Sequence, residues 1–127
     1  MQPIFLSRIE LTERKILVEN QLRILEACRV TNTPVVLIEY SKEGISLPGL
    51  LLAVERLADF ETITKTHDDA FEETDLAKHL RHRRVNTLLL MGINASYCVK
   101  KTAQSALRLG FSIETSPDLI ADPPTLC

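Results

Sequence analysis

Cys98 stands where a working thiol would be placed. An apolar run from Leu88 to Met91 ends in Gly92, and the cysteine follows at the start of a helix-like segment. A thiol at a helix N-terminus meets unpaired N–H groups and the positive end of the helix dipole. Both favour thiolate, the nucleophilic form. A cysteine buried only for packing needs no such placement, though free cysteines are often buried. Asn94, Ala95 and Ser96 can aim backbone N–H groups at the space before the sulfur, the arrangement acyl transfer requires. The same residues also make an ordinary βα loop with Ser96 as N-cap.

Lys65 is the second candidate. It ends a strand-like segment, Phe60 to Thr66, and is followed by His67-Asp68-Asp69-Ala70-Phe71. A lysine at a buried strand end can hold a thiolate by charge and orient a substrate carbonyl. A solvated lysine satisfies the pattern too. His67, His79 and His82 show no ligand spacing, and His79 and His82 fall on a charged, solvent-facing helix. No Cys/His cluster follows the strand at Val35–Ile38, so neither a zinc site nor another metal is expected. Gly92 lacks the companions of a dinucleotide or Walker motif. No cofactor is expected.

The elements that must position these residues alternate. Leu11 to Val30 has helical period, with Leu17, Asn20, Ile24 and Cys28 on one face, Thr12 as N-cap and Thr31–Pro34 as the stop. Val35 to Ile38 is continuous and largely β-branched, as in a strand buried on both faces. A polar loop, Ser41 to Ser46, precedes a short helix from about Leu50 to Leu57, and Phe60 to Thr66 makes the next strand. Thr74 caps a helix that turns Leu76, Ala77 and Leu80 inward. Val85 to Met91 is the strongest strand, and Ser96 to Leu109 is a helix stopped by Gly110. Phe111 to Thr115 is the last strand. This order predicts one α/β domain over residues 1–127: a mostly parallel sheet in a three-layer α/β/α arrangement. In such sheets function gathers at the C-terminal strand ends, where Glu39/Tyr40, Lys65 and the Gly92–Cys98 turn fall.

With 127 residues the chain is long enough for one self-sufficient core. Its formal charge of −2, with both signs mixed, argues against nucleic acid or an anionic membrane as the main partner. No apolar run approaches the ~20 residues that span a bilayer, and no signal-peptide pattern opens the chain. The odd set Cys28, Cys98 and Cys127 reads as free thiols in a reducing cytoplasm.

These residues carry a resemblance. Lys65 with Asp69-Ala70-Phe71 resembles the K-x-x-x-S/D-A-F element of the isochorismatase-like cysteine hydrolases. Gly92-Ile93-Asn94-Ala95-Ser96-Tyr97-Cys98-Val99, followed by Lys101-Thr102-Ala103 and Ala106, is similar to their G-V-x-T-x-x-C-V…T-A…A block. Gly110-Phe111 and Ser116 to Ala121 resemble the later part of the same pattern. The resemblance implies that family's parallel sheet between helices (a Rossmann-like hydrolase fold) and an Asp–Lys–Cys triad. It also implies a cis peptide between Ile93 and Asn94, turning the Asn94 N–H toward the oxyanion beside that of Cys98.

Three departures shape the expectation. True isochorismatases of the family generally lack the cysteine, so its presence favours amide-type C–N hydrolysis. The Asp/His metal cluster of the nicotinamidase type is replaced by Glu39-Tyr40-Ser41-Lys42, so metal dependence is not carried over. The family's aspartate sits on a first strand that aligns before Met1, and the domain is expected to be incomplete at both ends. The resemblance therefore implies a cysteine hydrolase of a small-molecule amide, with Cys98 and Lys65 catalytic; Phe71 and Tyr40 are expected as pocket walls. The alternative is a degenerate, non-catalytic member kept as an oligomeric or regulatory subunit because the acid is missing. Homo-oligomerisation is expected in either case.

Overall fold

The computed structural model describes residues 1–123; Cys127 lies outside them. A short helix, α1 (Pro3–Leu6), precedes the long α2 (Leu11–Thr31). The carboxylate of Glu10 accepts the Glu13 N–H at 3.1 Å and takes the capping position expected of Thr12. Asn32 closes α2 in the left-handed region, its N–H returning to the Cys28 carbonyl. The buried stripe of α2 is Leu17, Gln21 and Leu25, rotated from the face expected around Asn20 and Ile24. Gln21 tolerates this burial because its amide donates to the Leu119 carbonyl at 3.0 Å.

The strands β1 (Val35–Tyr40) and β2 (Phe60–Lys65) pair in parallel, Val35 opposite Phe60 and Tyr40 opposite Lys65. Between them runs α3 (Pro48–Glu55), with proline at its first turn, where its missing N–H costs nothing. Next comes α4 (Leu76–His82), whose start is held by Thr74: its hydroxyl donates to the Ala70 carbonyl and accepts the Leu76 N–H. Then follow β3 (Thr87–Leu89) and β4 (Gly92–Ile93). A π-helical turn (Ala95–Val99) leads directly into α5 (Lys100–Arg108). Gly110, at φ +94°, ends this helix as a left-handed stop. The last strands, β5 (Ser112–Glu114) and β6 (Ile120–Ala121), pair in parallel with β3 and β4.

Helices cover both faces of these strands. On one side Ile63, Leu76, Leu80, Ala106 and Phe111 form a core beneath α4 and α5. On the other, Leu25 of α2 meets Leu50 and Val54 of α3, with Leu57. The architecture is α/β/α with parallel pairing throughout the described residues.

Two expectations are corrected. The segment Val85–Met91 is not one strand: among the described residues only Thr87–Leu89 pairs in a ladder, and Leu90 keeps a single backbone bond, its N–H to the Glu114 carbonyl at 2.9 Å. The run Val35–Ile38 is half-buried, not enclosed on both faces. Both corrections have one cause. Among the described residues β1 pairs only with β2, and its other edge looks across a cavity of about 190 Å³ toward Leu90–Ile93. Val36, Ile38, Leu50 and Val54 also line this slot.

Candidate active site

Register places the first two site residues. Tyr40 and Lys65 end adjacent parallel strands as direct partners, and the Lys65 Nζ lies 4.7 Å from the centre of the Tyr40 ring. Lys65 is only 6% exposed. Its ammonium donates to the Asp68 carbonyl at 2.7 Å, which folds the loop after β2 back over the strand end. That fold carries the Asp68 carboxylate to the π-helical turn, where the Cys98 thiol donates to its Oδ1 at 3.6 Å. The Tyr40 hydroxyl donates to the same oxygen. The Lys101 ammonium holds Oδ2 at 3.0 Å.

The loop is pinned to α5 from beyond the site. The Ala70 N–H donates to the buried Thr102 hydroxyl at 3.0 Å. Asp69 accepts the Phe71 N–H at 2.9 Å and bonds the Ser105 hydroxyl with its other oxygen. Gln2 supports the opposite wall: its side chain accepts the Tyr40 N–H at 2.8 Å and donates to the Tyr40 carbonyl at 2.9 Å. It serves Tyr40 as a neighbouring strand would. The peptide bond between Ile93 and Asn94 is cis, and Gly92 before it has φ +136°, a conformation L side chains rarely adopt.

A cavity of about 270 Å³ opens in front of the sulfur, lined by Cys98, Asp68 and Asn94 with Phe5, Tyr40 and Tyr97. Phe5, Tyr40 and Cys98 also line the slot beside β1. Ligand pockets run from about 300 to 1,000 Å³, so this one suits a small molecule. Asn94 Oδ1 is buried without a hydrogen-bond partner among the described residues. Phe71 lines neither cavity. Its ring stacks on Phe111, centroids 6.1 Å apart, and packs against the core with Ile63. Ser96 does not cap the turn; its N–H and hydroxyl both bond the Asp122 carboxylate.

Charge follows from these contacts. The Tyr40 hydroxyl, then Lys101, hold the Asp68 carboxyl below its ordinary value. Burial, then the bond to Asp68, pushes the Tyr40 phenol up, so it stays protonated and donating. Burial depresses Lys65, opposed by the negative charge available at Cys98 and Asp68. Among the described residues no group of three or more His, Cys, Asp or Glu is placed to hold a metal ion. No helix there is long and apolar enough to cross a membrane.

Sequence reasoning brought out Cys98, Lys65, Tyr40 and Asn94, which meet here. It missed Asp68, Lys101, Thr102 and Gln2. Asp68 carried one usable signal, its place beside Asp69 three residues after the strand-ending lysine.

A buried lysine at the end of one parallel strand pair and a cysteine in the turn after a strand of another define a protein of the α/β class with a candidate thiol site. The isochorismatase domain model matches residues 1–125, and the chain belongs to the isochorismatase family. It is 39% identical over 61 residues to the family protein YecD of Escherichia coli O157:H7, covering 48% of this chain and 32% of that protein. Against the family protein PncA of Bacillus subtilis identity is 35% over 83 residues, 62% of this chain and 45% of the relative. The chain thus spans less than half the length of these curated relatives.

Solved structures share the fold. The N-carbamoylsarcosine amidase of Thermoplasma acidophilum superposes with TM-score 0.81 at 22% identity, over 95% of this chain and 79% of that one. The nicotinamidase of Staphylococcus aureus gives 0.79 at 21%, over 92% and 79%.

Proposed function

We propose that the protein hydrolyses a small amide-type C–N bond through a thioester on Cys98. The observation that carries this reading is the pocket itself. It joins a thiol to an ionised carboxylate, with a buried ammonium at the next strand end. Cys98 attacks the substrate carbonyl, and Lys65 stabilises developing thiolate and orients the substrate. The backbone N–H groups of Asn94 and Cys98 hold the oxyanion. The unpartnered Asn94 Oδ1 suits a substrate bearing an N–H donor, and Tyr40 supplies a wall. The amidase and the nicotinamidase that share the fold act on C–N bonds by their names. Incubation with a panel of small amides, followed by intact mass, tests this. An acyl adduct on Cys98, absent from Cys98→Ser, is expected; turnover by Cys98→Ser ends the reading.

We infer also that the slot between β1 and Leu90–Ile93 takes one further parallel strand, since the edge of β1 facing it has no strand partner among the described residues. Adding the residues encoded directly upstream should raise the melting temperature, and an unchanged value would remove the idea. The open edge also favours a second reading, a non-catalytic subunit of a homo-oligomer. In that case Cys98→Ser leaves assembly intact and no amide is cleaved by either protein.

A further inference from the structure

We propose that Glu43 selects the substrate: a small amide that carries a cation, an ammonium or a guanidinium, on a short carbon stem. The proposal rests on the cysteine-hydrolase reading above and names its substrate class. Two charged side chains line the cavity in front of Cys98, Glu43 and Asp68, and both are acids. Asp68 is already balanced: Lys101 holds Oδ2 at 3.0 Å, and the Tyr40 hydroxyl bonds the other oxygen. Glu43 has no such partner. Among the described residues its half-buried side chain takes neither a hydrogen bond nor an ion pair.

The nearby cations are spent elsewhere. Lys65 donates to the Asp68 carbonyl and lies against the Tyr40 ring, and Lys101 is bonded to Asp68. Lys42, next to Glu43 in the chain, lines neither cavity. An unpaired carboxylate inside a cleft attracts a cationic substrate, because low-dielectric walls focus its field. The same field repels a substrate that carries a carboxylate.

The backbone holds Glu43 in place without help from its side chain. Lys42 at φ +66° and Gly44 at φ +80° bracket it in the left-handed region. Before it, the Ser41 N–H donates to the Lys65 carbonyl at 2.8 Å. After it, the Gln2 amide donates to the Gly44 carbonyl at 2.7 Å, and the Ser46 N–H donates to Glu39. A loop tied on both sides loses little freedom when a ligand arrives, so more of the charge attraction appears as affinity. Phe5 and Tyr97 give the stem an apolar wall. The buried Asn94 Oδ1, also without a partner, is a second acceptor for the N–H groups of the cation.

The test uses the protein purified at its natural length from its own gene. Three amides of similar size are compared: cationic γ-aminobutyramide, neutral valeramide and anionic succinamate. Wild type should favour γ-aminobutyramide over valeramide in kcat/KM by roughly 10- to 100-fold, the worth of one hydrogen bond to a charged group. Succinamate should be the poorest of the three. Glu43→Gln should bring the ratio of the first two within about threefold, chiefly through KM. Glu43→Lys should turn the preference toward succinamate. Equal kcat/KM for γ-aminobutyramide and valeramide in wild type, or a preference that survives in Glu43→Gln, would overturn the assignment and leave the cysteine mechanism standing. Absence of acylated Cys98 with every amide would remove the hydrolase reading, and thiol labelling then decides for Glu43. Aminoethyl methanethiosulfonate, a cation, should modify Cys98 faster than the anionic sulfonatoethyl reagent, and Glu43→Gln should lower that ratio by about fivefold or more. A ratio that Glu43→Gln leaves unchanged removes Glu43 as the residue that reads charge.

Discussion

The Lys65 ammonium lies 4.7 Å from the centre of the Tyr40 ring, and the two residues are direct partners across β1 and β2. The ring face offsets part of the cost of burying the charge, an effect of about 0.5–2 kcal/mol. Burial still depresses Lys65 below its ordinary 10.5. Its positive charge is therefore lost at a lower pH than for a solvated lysine. The alkaline limb of the rate profile should fall below pH 10.5, and Lys65→Arg, whose charge persists, should remove that limb while lowering the rate. A limb that stays put in Lys65→Arg assigns it to another group.

The two described thiols should react differently. Cys98 and Lys65 both line the slot beside β1, whereas burial raises the Cys28 thiol above its ordinary value. At neutral pH a small neutral alkylating reagent should label Cys98 first, by at least about tenfold. Lys65→Met should narrow the gap. Equal labelling of both in the wild type would mean that Cys98 is not activated.

Thr102 ties the Asp68 loop to α5. Thr102→Val keeps the shape but leaves the Ala70 N–H without its acceptor, a cost of about 1–3 kcal/mol. The urea midpoint should drop accordingly. Because Ala70 lies two positions after Asp68, amide turnover should fall by more than the stability loss explains. A midpoint matching wild type would show that the loop is held by its other bonds.

Acid should weaken the fold through Asp68 and Asp59. Asp68 is depressed by Tyr40 and Lys101, and Asp59 by the Arg83 guanidinium, whose nearest contact is 2.9 Å. A carboxyl whose folded value lies below its unfolded one stabilises the fold above the unfolded value. That contribution is lost as pH falls through the folded one. The loss should begin near pH 3.8, the ordinary value for both, and continue below it. Both groups are substantially exposed, so each contributes about 1 kcal/mol or less. Chemical denaturation between pH 5 and 3 should show a shallower decline for Asp59→Asn than for wild type.

Much of the framework could be read without coordinates. The β-branched run at Val35, the alternating segment at Phe60 and the stop at Gly110 all became the elements expected, because local pattern and chain stiffness decide such pieces. Tyr40, Lys65 and Cys98 could be grouped in advance because parallel strands bring their C-terminal ends to one edge. Phe71 could not be placed: a loop aromatic packs into a core or lines a pocket with the same residue type, and here Phe111 draws it inward.

Sequence alone determined the alternation of strands and helices from Leu11 to Glu114, though not α1, the break between β3 and β4, or the further strand β6. It also determined the strand ends that bear the lysine and tyrosine, and the turn that bears the thiol. Tertiary structure decided which acid faces that thiol. Asp68 and Asp69 are chemically alike and adjacent, and no local rule separates them. Asp68 meets Cys98 across 30 residues, and the Ala70–Thr102 bond that holds its loop spans 32. Asp69 is turned away to Ser105 on α5. Contacts between residues so distant in the chain exist only once the strands and helices have packed, which is why the carboxylate beside the sulfur could not be assigned before the fold was known.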